Sequence, residues 1–155
     1  AASLVIPDLA GKAVLVTGAS TGIGAALAKA YAAQGCRVGL HYNQSEDAAK
    51  NVAGEIGKAG GEVFLVRGDF SVSADVMRVV EDTAKHFGRL DGLVNNAGGM
   101  LGRVPYAEMT DEQYDRVMDL NARSVITACR VAKRQVAVEV HTAIDGERII
   151  QAWLL

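Results

Sequence analysis

The sequence has 155 residues, of which half are hydrophobic and 22% are charged, and its formal net charge is −2. This length predicts one domain with its own core, and the charge balance excludes a basic nucleic-acid-binding surface. No apolar run approaches the roughly 18 residues that a membrane span requires, so we expect a cytoplasmic chain without a membrane partner. Cys36 and Cys129 have no metal-ligand spacing and are expected to be buried thiols in a reducing compartment.

Strands and helices are predicted to alternate along the whole chain. In order, the patterns predict a strand over 13–17, a helix over 23–34 ended by Gly35, a strand over 37–42, a helix from Ser45 to 59, a strand over 62–67, a helix from Ser73 to Gly88, a strand over 90–94, and a long helix that a Thr110–Gln113 capping box begins. Residues 136–146 fit either a strand or a frayed helix end, and 148–153 can form a fifth strand. This alternation predicts an α/β fold with a doubly wound parallel sheet, as a single domain over 1–155.

A glycine-rich turn joins the first strand to the first helix. Gly18 permits the tight exit from the strand, Gly22 lets the backbone approach a phosphate closely, and Gly24 lets the helix pack against the sheet. Because the first-turn N–H groups of a helix attract anions, the turn predicts a site for the pyrophosphate of a dinucleotide. The alternative is an ordinary strand–turn–helix in which the glycines serve geometry alone.

Small or polar residues also follow the other predicted strands. Residues 41–45 follow the second strand, Asp69 and Phe70 follow the third, and 95–98 follow the fourth. Ligands of doubly wound sheets bind outside the carboxyl ends of the strands. We therefore expect these segments to surround one site.

These motifs resemble those of the short-chain dehydrogenase/reductase family. The segment 17–24 matches the family's TGxxxGIG signature, 95–98 matches its NNAG signature, and Asp69 and Asn121 occupy two further positions of the pattern. The resemblance covers about 9–134. It implies a Rossmann fold, hydride transfer between the nicotinamide of NAD(P) and a small carbonyl or alcohol substrate, and a homodimer or homotetramer.

The resemblance also implies roles for individual residues. The cofactor-binding residues would be Gly18, Ser20, Thr21, Gly22, Ile23, Gly24, Tyr42, Asn43, Asp69, Phe70, Asn95, Ala97 and Gly98, with Asp69 and Phe70 beside the adenine. Asn121 would be the catalytic helix asparagine, and Asn95 could equally bridge neighbouring strands. No metal site is expected.

The end of the second strand bears on the choice of cofactor. Tyr42 and Asn43 stand where a carboxylate would select NAD, so NADP is favoured over NAD, although no arginine for its 2′-phosphate is evident from the sequence.

The family's proton-transfer residues are missing from this sequence. Its serine after strand five has no counterpart, and none of the tyrosines at 31, 42, 106 and 114 is followed four residues later by lysine. We therefore expect that the C-terminal part of the fold is missing, because the chain is truncated or incomplete or because its reading frame changes near Gln135. Such a chain would expose an apolar edge strand and be poorly stable alone.

Three functions stay open at this point. The chain is an oxidoreductase without its catalytic end, a non-catalytic dinucleotide-binding fragment or regulatory module, or an α/β domain that binds nothing. His41, His86 and His141 share no metal-ligand spacing and are predicted to lie at the surface.

Overall fold

The computed structural model describes residues 5–135. Its strands and α-helices are, in order, β1 (Ala13–Val16), α1 (Gly22–Ala33), β2 (Arg37–Tyr42), α2 (Glu46–Lys58), β3 (Val63–Arg67), α3 (Ser73–Phe87), β4 (Gly92–Val94), α4 (Asp111–Met118) and α5 (Ser124–Gln135). Short 3-10 turns lie at Pro7–Leu9 and Tyr106–Glu108. The predicted fifth strand, the undecided segment 136–146 and His141 lie outside the described residues.

The four strands form one parallel sheet in the order β3-β2-β1-β4. Val16 of β1 is in register with Leu40 of β2 and with Val94 of β4. The chain therefore winds outward from β1 to β3, then crosses back over the sheet to β4. This confirms the doubly wound parallel architecture, and it places a topological switch point between β1 and β4.

Both faces of the sheet are covered, which explains why the strands are continuously apolar. On one face Val14, Val16 and Leu40 pack with side chains of α1 and α2 such as Ala28 and Ile56. On the other face the core comprises Leu15, Val66, Phe70, Val76, Val79, Val80, Ala84, Leu90, Ala128, Val131 and Ala132. All four residues of β1 are buried, so this strand is the centre of the core.

Helix boundaries follow the predicted capping residues in most places. Gly35 and Gly88 adopt positive φ angles of 82° and 70° after α1 and α3, a conformation that glycine adopts most readily. The capping box of Thr110 and Gln113 begins α4 as predicted. Ser73 differs from the prediction, because it is the first residue of α3 and Val72 occupies the capping position without a side-chain bond.

The long helix predicted after Thr110 is present, since helical backbone continues from 111 to 135, but it contains an irregularity that the sequence analysis did not predict. A π-helical turn at Asp119–Arg123 separates α4 from α5. In this turn Asn121 Nδ2 donates to the Val117 carbonyl over 2.8 Å and also bonds a loop outside the helix. Its side chain therefore competes with backbone N–H groups for a carbonyl of the helix. Of the predicted apolar stripe, Ala128 is buried, whereas Tyr114 and Met118 are exposed.

Cys129 is also exposed rather than buried. Helix α5 packs on α3 through Ala128, Val131 and Ala132, and Cys129 lies outside that stripe. Cys36 is buried as predicted, and its thiol donates to the Leu9 carbonyl. Within residues 5–135, no helix has the length and apolar character needed to cross a bilayer.

Candidate functional site

The glycine turn is formed by close approaches that only glycine permits. Gly18 has φ 63°, and a Cβ there would lie 2.9 Å from Ala97 Cα. A Cβ on Gly24 would lie 2.3 Å from the Gly18 carbonyl oxygen and 2.5 Å from Asn96 Nδ2. Gly22 has φ 57° with no atom within 4 Å of its would-be Cβ, so its backbone is open to a ligand.

Thr17 and Asn96 join the glycine turn to the loop after β4. Thr17 Oγ1 donates to the Val94 carbonyl and accepts from the N–H groups of Asn96 and Ala97, each over 2.9 Å. Asn96 Nδ2 donates to the carbonyls of Thr17 and Gly18. Neither residue was among the predicted site residues, although both belong to the two motifs. Asn96 thus bridges the ends of β1 and β4, which is the role considered for Asn95. Asn95 Nδ2 instead lies 3.4 Å from Cys129 Sγ.

The N-terminus of α1 fits a pyrophosphate. Thr21 occupies the capping position in an extended conformation and makes no side-chain capping bond, so the N–H groups of the first turn have no partner from the cap. Thr21 and Gly22 are exposed. Free amides together with the positive end of the helix dipole are what an anionic group requires.

A cavity of about 580 Å³ lies on the β4 side of this helix end. It brings together predicted site residues from three segments, and its lining comprises Ile23, Asn95, Asn96, Ala97, Gly98, Gly99, Asn121, Ala122, Val125 and Ile126. Ile23 and Ile126 are 62% and 65% exposed, so the cavity has a wide apolar rim. Its lining of apolar side chains and asparagine amides suits a flat heterocyclic ring.

Asn121 holds the floor of this cavity in place. Its Oδ1 accepts from the Gly99 N–H over 3.0 Å, and its Nδ2 donates to the Gly99 carbonyl over 2.8 Å. A Cβ on Gly98 would lie 2.7 Å from Asn121 Oδ1. The structure therefore shows the side chain of Asn121 bound to the backbone of the loop that follows β4.

A second cavity of about 580 Å³ lies beyond the carboxyl ends of β2 and β3, lined by Asn43, Gln44, Arg67, Gly68, Asp69, Asp75 and Arg78. Asp69 accepts from the N–H and hydroxyl of Ser71, and its own N–H donates to Asp75 Oδ2 over 2.7 Å. That backbone bond and the Arg78 guanidinium hold the pKa of Asp75 below its usual value. Asp69 is thus fixed at the rim of a polar cavity.

Arg67 also lines this cavity, and the sequence analysis did not single it out. It is the last residue of β3, lies in register with Tyr42, and donates through Nε to the Asn43 carbonyl over 3.1 Å. Among the described residues it makes no ion pair, whereas Arg78 pairs with Asp75 and Asp82. Finding it required the pairing of β2 with β3, because only the register brings residue 67 beside residue 43.

Tyr42 and Phe70 are core residues. Tyr42 is 9% exposed and Phe70 is 3% exposed. The ring of Phe70 stacks on His41 with centroids 3.9 Å apart, and Phe70 is not among the residues that line the second cavity. Tyr42 ends β2, in which five of the six residues are buried, and Phe70 belongs to the core on the α3 face of the sheet.

The prediction that His41 lies at the surface is wrong, since it is 2% exposed. Burial is the main effect that lowers its pKa, to about 4, and the Gly68 carbonyl only partly offsets it. His86 is exposed as predicted.

A separate cavity of about 610 Å³ lies at the opposite end of the strands, where β1, β2 and β3 begin. It lies between the C-terminal ends of α1 and α2, and Lys29, Cys36 and Glu55 are among its lining residues. None of the predicted site residues lines it. Within residues 5–135 no three potential His, Cys, Asp or Glu ligands cluster in a way that could hold a metal ion.

Comparison with known proteins gives a consistent result at the level of sequence. The family model described as short chain dehydrogenase matches residues 12–145. A hydroxynaphthalene reductase-like protein of Metarhizium majus is 40% identical over 117 residues, which are 76% of this chain and 43% of the relative. The chain therefore spans about half the length of the relatives that it matches.

Solved structures agree with the sequence comparison. A short-chain dehydrogenase from Burkholderia cenocepacia in complex with NADP is 38% identical, with a TM-score of 0.79 over 83% of this chain and 52% of that chain. An NADH-dependent reductase responsible for alginate metabolism is also 38% identical, with a TM-score of 0.78 over 84% of this chain and 53% of that chain.

Proposed function

The chain belongs to the short-chain dehydrogenase/reductase family, and we propose that it forms the dinucleotide-binding part of an oxidoreductase that transfers hydride between NADP and a small carbonyl or alcohol substrate. One observation carries the proposal. The glycine turn and the Asn95–Gly98 loop meet at the switch point between β1 and β4, joined by the hydrogen bonds of Thr17 and Asn96.

In this proposal the cofactor extends across both cavities, with its nicotinamide end in the first and its adenosine end in the second. The first-turn amides of α1, with Ser20, Thr21 and Gly22, would bind the pyrophosphate. Asn95, Ala97 and Gly98 would line the nicotinamide end, next to Ile23. Asn43 and Asp69 would contact the adenosine end. The bound nicotinamide supplies or accepts the hydride, and Asn121 holds the loop on which it would rest.

Electrostatics around Asn43 support NADP over NAD. Neither Tyr42 nor Asn43 at the end of β2 is a carboxylate, and the exposed Arg67 bonds the Asn43 carbonyl through Nε and interacts with Glu46 only beyond ion-pair distance. A cation there would attract a 2′-phosphate, whereas the uncharged 2′-hydroxyl of NAD would gain little. The similar structures include one in complex with NADP and one described as NADH-dependent, so they do not favour either cofactor. The preference for NADP therefore rests on the residues of this chain.

A second candidate function is dinucleotide binding without turnover, as a fragment or regulatory module. The glycine turn supports this candidate as well as the first, because the turn would bind a dinucleotide with or without hydride transfer. A homo-oligomer and a cytoplasmic location belong to the same proposal, by resemblance to the family.

The proposal is tested by calorimetric titration of the purified protein with NADPH and with NADH. We expect NADPH to bind more tightly, and Arg67→Gln to weaken NADPH binding by about tenfold while leaving NADH binding unchanged. Arg116→Gln, at an exposed arginine on α4, is the matched control and should change neither affinity. Failure to bind either nucleotide would refute the proposed function, and tighter NADH binding would refute the cofactor preference. Binding without hydride transfer to any carbonyl tested favours the second candidate.

A further inference from the structure

His41 lies between the two loops that would bind opposite halves of a dinucleotide. The Gly18 N–H in the glycine turn donates to His41 Nδ1 over 3.0 Å. On the other side of the ring, Nε2 lies 3.0 Å from the Gly68 carbonyl, immediately before Asp69. The His41 backbone carbonyl also accepts from the Ala19 N–H over 2.8 Å. One residue of β2 thus contacts the segments that follow both of its neighbouring strands.

These partners determine the protonation state of the ring. Nδ1 accepts from an amide and must be unprotonated, so Nε2 carries the proton and donates it to the Gly68 carbonyl. Protonation of Nδ1 would place two N–H groups against each other and break the bond to Gly18. Stacking on Phe70 at 3.9 Å fixes the plane of the ring. Only the neutral Nε2–H form satisfies both loops.

We propose that His41 is a positioning residue for the dinucleotide, holding the glycine turn and the Gly68–Asp69 segment in the relative position in which both contact one ligand. The inference rests on the proposed function, since the ligand that spans the two loops is the cofactor. Gly18 is then fixed from two sides, by His41 through its N–H and by Asn96 through its carbonyl.

The charges that face His41 come from the segments around the second cavity. Asp75 and Asp69 favour the protonated ring, Arg78 disfavours it, and burial outweighs all three and lowers the pKa of His41 to about 4. The bond to Gly18 therefore persists at neutral pH and is lost as the pH falls through about 4. Cofactor affinity should decline over the same range.

The hydrogen bond itself is tested by NMR on the uniformly ¹⁵N-labelled protein without cofactor. We expect a scalar coupling across the hydrogen bond between the Gly18 amide nitrogen and His41 Nδ1 at pH 7. The coupling should vanish on acidification through about pH 4, together with the exchange protection of the Gly18 amide. Absence of the coupling at pH 7 in the folded protein would overturn the inference, whatever the cofactor result.

The positioning role is tested by NADPH titrations of three variants. His41→Phe keeps the stacked ring but has no polar atom, and we expect it to weaken NADPH binding by about tenfold. His41→Asn retains an acceptor near the position of Nδ1 and should recover part of that loss, whereas His41→Gln, whose amide lies nearer the position of Nε2, should recover less. If His41→Phe fails to fold, the test is the comparison of NADPH affinity between His41→Asn and His41→Gln, of which His41→Asn should bind more tightly.

A pH series on the wild-type protein and His41→Asn completes the experiment. Every group other than His41 is common to both proteins, so the ratio of the two affinities isolates His41. We expect a constant ratio from pH 8 to 6 and a loss of the wild-type advantage near pH 4. A ratio independent of pH, or equal binding by wild type and every variant, overturns the inference while the proposed function stands. No NADPH binding by the wild type at pH 7.5 instead refutes the proposed function.

Discussion

Replacing Gly24 by alanine should destabilise the protein although the residue lies in a helix. A solvent-facing glycine in a helix interior costs about 0.5–1 kcal/mol relative to alanine, so the substitution is ordinarily stabilising. At Gly24 the added methyl would lie 2.3 Å from the Gly18 carbonyl oxygen and 2.5 Å from Asn96 Nδ2. The first of these atoms belongs to the backbone of the glycine turn, which cannot rotate away.

The expected magnitude follows from the two contacts. Overpacking against backbone costs about 1–3 kcal/mol. Displacing the Asn96 amide also weakens its bonds to the carbonyls of Thr17 and Gly18, each worth about 0.5–1.5 kcal/mol. After the gain in helix propensity, the free energy of unfolding should fall by about 2–4 kcal/mol.

The assay is urea denaturation followed by circular dichroism, with Gly54→Ala as the matched control. Gly54 lies in α2, and a Cβ there would have no neighbour within 4 Å. The control should raise the free energy of unfolding by about 0.5–1 kcal/mol. Equal stability of Gly24→Ala and wild type would show that the contact between α1 and the glycine turn is not tight, and it would refute the reasoning.

Two further substitutions test the connections at the ends of β1. Thr17→Val preserves side-chain volume but removes one donated and two accepted hydrogen bonds, so we expect a loss of about 2–4 kcal/mol in the free energy of unfolding. The buried Thr83 donates only to the Val79 carbonyl within α3, so a Thr83→Val control that costs as much as Thr17→Val would contradict this account. At the other end, burial raises the pKa of Asp91, but Arg89, the Ala13 N–H and Lys12 together lower it below its usual value. Because the pKa of Asp91 is lower in the folded state, its charge stabilises the protein above about pH 4 and this contribution is lost as the pH falls through the folded-state value. Asp91→Asn should therefore be less stable than wild type at pH 7 and lose less stability on acidification from pH 5 to pH 2, and parallel pH profiles of the two proteins would contradict the assignment.

Most of the described fold could be predicted from local patterns. The apolar runs of β1 and β2 and the glycines after α1 and α3 are strong signals, and the structure has each element close to its predicted bounds. The glycine turn and the Asn95–Gly98 loop could be found as site segments because each follows a buried strand directly.

The features that were missed depend on partners distant in sequence. The π-helical turn arises because Asn121 bonds Gly99, which is 22 residues away, and the periodicity of 111–135 contains no trace of that bond. His41 resembled a surface residue because histidine is polar, yet it lies in the buried part of β2, where Gly18 and Gly68 satisfy its two ring nitrogens. Arg67 comes to line the second cavity only through the register of β3 with β2.

The strand order β3-β2-β1-β4 also has a consequence for folding kinetics. The β1–β2 pair closes a short crossover through α1, whereas Thr17 and Asn96 are separated by 79 residues. Because the entropic cost of closing a loop grows with its length, β1, β2 and β3 can associate before β4 docks beside β1. During synthesis, the glycine turn leaves the ribosome long before the asparagine that holds its shape. The two halves of the proposed nucleotide site are thus made early and late, and among the described strands it is the pairing of β4 with β1 that brings them together.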